Sequence, residues 1–310
     1  MDKFSKRQNP EKIRVYSRSF VANWVFLCAL SVLCGGIASA SVRKIAPDLY
    51  AYVSENDGSA NATFLVTDRG ILVVDTGVNS KEGEKLLAEI RKISTAPVRY
   101  IVNTHYHPDH RGGNSVVGPV ATIISTAFTR DQQAGHSEAY SAAADSLASS
   151  GRLTIYLGQY EVEIFHPGPA HTRGDVVVYF PLQHAVATGD LFLTNSCPAM
   201  DDGDMENWIA ALDSILALDA QTFVPGHFEV ASQPRLRRFR DYLAALRDQV
   251  KPRFAAGQPL SRIQAELEMK AFRDFRQFPQ YEATFADNAA SYFQQLTMRN
   301  KNGVHGTSLR

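Results

Sequence analysis

From Thr104 to Asn114 the chain reads Thr-His-Tyr-His-Pro-Asp-His-Arg-Gly-Gly-Asn. Three of its nine histidines, His105, His107 and His110, fall here with one carboxylate, Asp109, inside six positions. The run before them, Tyr100 to Asn103, is largely apolar and strand-like. The histidines therefore lie on a loop just past a strand's C-terminal end, where α/β sheets place ligand sites. Imidazole and carboxylate suit zinc, which takes nitrogen at about 2.0–2.1 Å and keeps an open position in catalytic sites. The plain alternative is a polar surface loop. An order as long as His-x-His-x-Asp-His argues against chance.

Outward from this segment the pattern alternates strand and helix. Leu49–Ser54 reads as a strand, and Ala60–Thr67 and Ile71–Val74 as a hairpin turning at Asp68-Arg69-Gly70. Leu86, Leu87, Ile90 and Ile93 give Lys81–Ile93 a helical period, and Val98–Asn103 is a short buried strand. Downstream, Ala121–Ser125 reads as a strand and Thr126–Ser149 as an Ala-rich helix or loop. Leu153–Leu157 with Glu161–Phe165 forms a hairpin. Val176–Phe180, Ala185–Thr188 and Thr222–Val224 are further strands, and Met205–Leu218 is a helix. Arg235–Val250, Ser261–Leu267 and Phe285–Met298 read as closing helices. Strand-helix-strand order is that of layered α/β folds.

Three further pieces follow in order: Ala170-His171-Thr172, Thr188-Gly189-Asp190 at a strand end, and Val224-Pro225-Gly226-His227 after a short strand. With the His-x-His-x-Asp-His segment, this set resembles the metallo-β-lactamase superfamily over about Leu49 to His227. The resemblance implies an α/β (α+β) four-layer αββα sandwich with a helical C-terminal extension. It implies that His105, His107 and His171 bind one zinc, that Asp109, His110 and His227 bind a second, and that Asp190 bridges them. Asp75-Thr76-Gly77 resembles the family's strand-end turn, with Asp75 supporting the metal loop from behind its ligands.

The chemistry so implied is zinc-dependent hydrolysis by a water activated between two ions, with Asp109 handling its proton. The bond is that of an ester, lactone, thioester or amide. A β-lactamase proper is the first alternative. In members that use a cysteine ligand, that cysteine stands where this chain has Asp190 and a lysine follows three residues on, where this chain has Leu193. Arg111 and Asn195 are candidate substrate contacts. Cys197 is not at a ligand position, and His136, His166, His184 and His305 have no place in the motif. An iron-dependent oxidoreductase on the same fold is the second alternative.

The first forty residues differ from the rest. Lys3, Lys6, Arg7, Lys12, Arg14 and Arg18 precede an apolar run from Phe20 to about Leu33, which ends in Ala38-Ser39-Ala40. That is the pattern of a secretory signal cleaved after Ala40, with an uncleaved membrane anchor as the alternative. The expected divisions are a signal over 1–40, a catalytic domain over 41–230 and a helical extension over 231–310 packed on it. The place of work is then the periplasm or outside the cell. Cys28 and Cys34 lie in the leader, which leaves Cys197 and no internal disulfide. Lys+Arg and Asp+Glu balance at 32 each, so nothing calls for nucleic acid. The expected partner is a small-molecule substrate.

Overall fold

The computed structural model describes residues 41–56, 58–134, 144–147 and 151–301. The leader expected over 1–40, with Cys28 and Cys34, lies outside them, as do His136 and His305.

Residues 41–147 build one mixed sheet. Its strands are β1 (Ser41–Ala46), β2 (Leu49–Val53), β3 (Ala62–Thr67), β4 (Gly70–Val74), β5 (Val98–Val102), β6 (Thr122–Thr126) and β7 (Ala144–Leu147). They lie in chain order, antiparallel up to β4 and parallel from there on. Helix α1 (Ser80–Ile93) joins β4 to β5 and is capped by the Asn79 side chain, which accepts from Glu82 N at 3.0 Å. Two single turns, α2 (Pro108–Arg111) and α3 (Asn114–Val117), follow β5, and α4 (Ala127–Ala134) follows β6.

The second sheet holds β8 (Arg152–Leu157), β9 (Tyr160–Phe165), β10 (Val177–Phe180), β11 (Ala185–Gly189), β12 (Thr222–Pro225) and β13 (Ala231–Ser232). Helix α5 (Met205–Leu216) makes the crossover between the parallel pair β11 and β12. Helices α6 (Gln233–Ala255), α7 (Leu260–Glu266) and α8 (Tyr281–Lys301) complete the described chain. None of the described helices is long and apolar enough to cross a membrane.

Strand residues alternate between faces, and here both faces are apolar. Leu72 and Val74 of β4 meet Val162, Val178 and Phe180 between the sheets. Their neighbours Ile71 and Val73 point outward onto Leu86 and Ile90 of α1. On the far side Val177, Val186 and Phe223 pack under Trp208, Leu212, Phe239, Tyr242 and Tyr292 of the helices. Three apolar layers between four structural ones make the αββα sandwich.

The local differences from the sequence reading have physical causes. β1 lies where no strand was expected, because exposed Arg43 and Lys44 break its apolar pattern; such charges blunt an edge strand. β7 falls inside Thr126–Ser149, read as a helix or loop; its pairing with β6 is a tertiary interaction that leaves no periodic signal. α8 begins four residues before Phe285, and α6 runs on past Val250 with Pro252 in its last turn.

Candidate metal centre

Two of the parallel pairs, β4 with β5 and β11 with β12, end toward the same edge of the sandwich, and the functional side chains stand on the loops after them. Asp75 follows β4 in a left-handed conformation, at φ 58°. Its Oδ1 accepts from Thr104 N at 2.9 Å, and its Oδ2 accepts from Thr104 Oγ1 at 2.7 Å and faces His110 Nδ1 at 2.8 Å. One buried carboxylate thus fixes the start of the histidine loop and turns His110 so that its Nε2 points away. Thr104 Oγ1 also lies 3.1 Å from His105 Nδ1, which orients that ring the same way. Reciprocal Asn103–Asn114 side-chain hydrogen bonds at 2.8 and 3.2 Å close the loop.

Among the described residues, two groups of side chains could hold a metal ion: His105, His107, His171 and Asp190, and Asp109, His110 and His227. In the first, His107 Nδ1 stands 2.9 Å from His105 Nε2 and 3.2 Å from His171 Nε2, which is 3.6 Å from Asp190 Oδ2. In the second, Asp109 Oδ2 stands 3.1 Å from His227 Nε2 and 3.5 Å from His110 Nε2. Asp190 Oδ1 is 3.2 Å from His110 Nε2 and 3.6 Å from His227 Nε2. Ligand atoms about 2.0–2.2 Å from a tetrahedral ion sit roughly 3.3–3.6 Å from one another; the separations here, from 2.9 to 3.6 Å, are those of ligand shells drawn slightly inward. Asp190 presents one oxygen to each group.

The donors fit a cation on independent grounds as well. His110 Nε2 and Asp190 Oδ1 are buried and, although 3.2 Å apart, meet in no hydrogen bond of ordinary geometry. Burial, reinforced by His110 and His107, holds His105 well below the ordinary histidine value, and burial lowers His171 to about 4. Both are thereby kept in the neutral form that a metal requires. Burial works against the charge of Asp190, but neighbouring His110 and His227 outweigh it and keep the carboxylate ionised. His110 is likewise penalised by burial yet raised by Asp190, Asp109 and Asp75.

Close packing explains one glycine in the constellation. A Cβ at Gly226 would overlap Asp190 Oδ1 and stand 2.9 Å from the carbonyl carbon of Gly189. The Pro-Gly-His turn passes against the Asp190 carboxylate, and only glycine leaves room.

A family model described as the metallo-beta-lactamase superfamily matches residues 56–227, more than half of the chain. The chain belongs to that superfamily. Two curated relatives are a linear primary-alkylsulfatase from a Pseudomonas species and a 2,4-dinitroanisole O-demethylase subunit alpha from a Nocardioides species. The first is 26% identical over 58% of this chain and 44% of its own length, the second 28% identical over 56% and 53%. The chain therefore spans about half the length of these relatives. Among solved structures, a metallo-beta-lactamase from Pontibacter korlensis matches at TM-score 0.58 and 25% identity, over 66% of this chain and 98% of that one. One from Erythrobacter litoralis matches at TM-score 0.58 and 19% identity, over 68% and 98%, which speaks to the fold.

Superfamily membership leaves the other expected contacts to be placed. Arg111 Nε donates to Tyr106 O at 2.8 Å and so ties down the histidine loop. Asn195, left-handed at φ 57°, accepts from Arg235 Nη2 at 3.0 Å in a cavity lined by Phe192, Arg238, Phe275 and Phe278. Leu193 is buried and presents no charge at its own position. Cys197 is a free, buried thiol in the outer core, pushed up to about 12 by burial, and belongs to neither group. His166 Nδ1 faces Asp175 O at 2.6 Å, and His184 pairs with Asp219 at the surface.

Three supporting residues carry no motif in the sequence. Asp175 accepts from Thr172 Oγ1 at 2.6 Å, Thr172 N at 2.9 Å and Ala170 N at 3.2 Å, wrapping the loop that carries His171. Asn61 Nδ2 donates to Pro225 O at 3.0 Å and Phe228 O at 2.7 Å, clipping the His227 turn to the first sheet. Asp202 accepts from Tyr106 Oη and stands 3.3 Å from His107 Nε2. Three residues before Asp175 stands Thr172, whose hydroxyl-to-carboxylate spacing was the one local signal available.

Proposed function

We propose that this protein is a zinc-dependent hydrolase that holds two zinc ions per chain and cleaves an ester-type bond. The observation that carries the reading is Asp190, whose two carboxylate oxygens face two separate histidine groups. His105, His107 and His171 would hold one ion, Asp109, His110 and His227 the other, with Asp190 shared. A donor set of five imidazoles and two carboxylates suits zinc by ligand type. Two such ions supply hydroxide near neutral pH and polarise the oxygen of the scissile group.

The chain's own residues do the rest. Asp75 and Thr104 keep His105 and His110 turned inward. Asp190 is 10% exposed at its side chain and Asp109 is 26% exposed, so Asp109 is the carboxylate able to exchange a proton with water. For substrate, an alkyl sulfate ester is the first choice, because one curated relative is named for that activity. Carboxylic esters and lactones come next, and β-lactams last, since buried Leu193 offers a drug carboxylate no cation. We place the enzyme in the periplasm or outside the cell, on the strength of the basic, apolar and Ala-x-Ala order over residues 1–40.

The test is a hydrolysis screen of the zinc-loaded protein across alkyl sulfates, esters, lactones, thioesters and carbapenems. Turnover of an ester-type substrate, abolished by His107→Ala, is expected. Efficient carbapenem hydrolysis, with kcat/KM above about 10⁵ M⁻¹s⁻¹, would instead make it a β-lactamase.

A further inference from the structure

Helix α8 packs against α6 and α7 in the helical layer over the second sheet, and its side chains also reach a loop at the edge of the metal centre. Asn288, buried, donates from Nδ2 to Pro198 O at 2.8 Å. Gln295 donates from Nε2 to Gly203 O at 2.9 Å and accepts from Met205 N at 3.1 Å. Arg299 Nη2 binds Asp204 Oδ2 at 2.6 Å. Four hydrogen bonds from one helix thus hold residues 198–205.

That loop touches the first histidine group twice. Asp202 accepts from Tyr106 Oη and stands 3.3 Å from His107 Nε2, the nitrogen facing away from the cluster, while His107 Nδ1 faces His105 and His171. Asp204 N donates at 2.7 Å to the carbonyl of Ala170, the residue before His171. Among the described residues, Asp109, His110 and His227 make no hydrogen bond to this loop, and Asp75 serves His110 instead. A carboxylate on the outer nitrogen fixes the ring and tautomer of a ligating histidine and raises its basicity.

We propose that α8 acts as a strut that positions His107 through the 198–205 loop, with Asp202 as the positioning residue, and so sets zinc affinity at the His105/His107/His171 group alone. The inference rests on the two-zinc reading above.

The experiment titrates the metal-free full chain with zinc in competition with a chromophoric chelator. His171→Ala and His227→Ala identify which binding step belongs to which group. Asp202→Ala should weaken the first-group step about 10–100-fold and leave the other within twofold. Asp202→Asn, which keeps an acceptor but not the charge, should lie between. Gln295→Ala with Arg299→Ala should weaken the same step, and that step only, by roughly 3–10-fold, less than removal of the outer-nitrogen partner itself. The urea midpoint of the metal-free Asp202 variants should fall only slightly, through loss of the Tyr106 contact, because the side chain is half exposed. Wild-type affinity in Asp202→Ala, or equal loss at both groups, overturns the proposal. A selective effect of Asp202→Ala with none from the α8 pair overturns the role of the helix. A wild-type chain that takes up no zinc overturns both this inference and the proposed function. Two ions bound equally well without the Asp202 carboxylate overturn only this one.

Discussion

Adding one methyl group at Gly226 tests how tightly the shared carboxylate is held. The new Cβ would overlap Asp190 Oδ1 and stand 2.9 Å from Gly189 C, where real Cβ contacts essentially never fall below 3.0 Å. Either the carboxylate swings away from His110, now 3.2 Å distant, or the end of β12 retreats. Overpacking of this kind costs about 1–3 kcal/mol in the metal-free protein. Displacing a reacting group by an ångström costs on the order of 10²-fold in rate. The informative assay is a double-mutant cycle on urea unfolding of metal-free Gly226→Ala, Asp190→Ala and the double variant. If the clash is with the carboxylate, Gly226→Ala should cost at least about 1 kcal/mol less when Asp190 is already alanine. Additive effects, or a Gly226→Ala protein with native zinc content and turnover, would refute the argument.

Other expectations follow from the same geometry. Asp190→Asn keeps the shape but removes the charge facing both groups, so one zinc should be lost before the other, with affinity falling about 10–100-fold in chelator competition. Buried Asp175 is raised to about 7, chiefly by burial, so its proton favours the folded state. That contribution is present below its unfolded value of about 3.9 and is lost as pH rises through about 7. Metal-free wild type should therefore lose about 2–3 kcal/mol relative to Asp175→Asn between pH 5 and 7.5, measured by urea unfolding; a flat difference would contradict this. Protein recovered from the exporting cell should begin at Ser41 by N-terminal sequencing, whereas an intact Met1 on a membrane-bound chain would support the anchor.

The layers were legible because their cause is local. Val98 to Val102 and Ile71 to Val74 are short apolar runs between turn residues, and Leu86 and Ile90 repeat at helical spacing. β1 and β7 were not, since one carries exposed Arg43 and Lys44 and the other joins its sheet only by backbone pairing with β6. At the site, the histidines and Asp190 form a pattern along the chain, and the fold brings them into two groups. Their supports form none. Asn61 and Pro225 are 164 positions apart, and Tyr106 and Asp202 are 96 apart, so both contacts exist only after the two sheets have packed. Arg111 and Asn195 illustrate the same limit, because hydrogen bonds to Tyr106 O and Arg235 are invisible in sequence order.

The central claim is that the two histidine groups, joined by Asp190, hold two zinc ions. Elemental analysis of the full chain, purified without added metal, tests it most directly. Two zinc ions per chain are expected, and their loss, together with turnover, in His107→Ala. One iron and no zinc would contradict it.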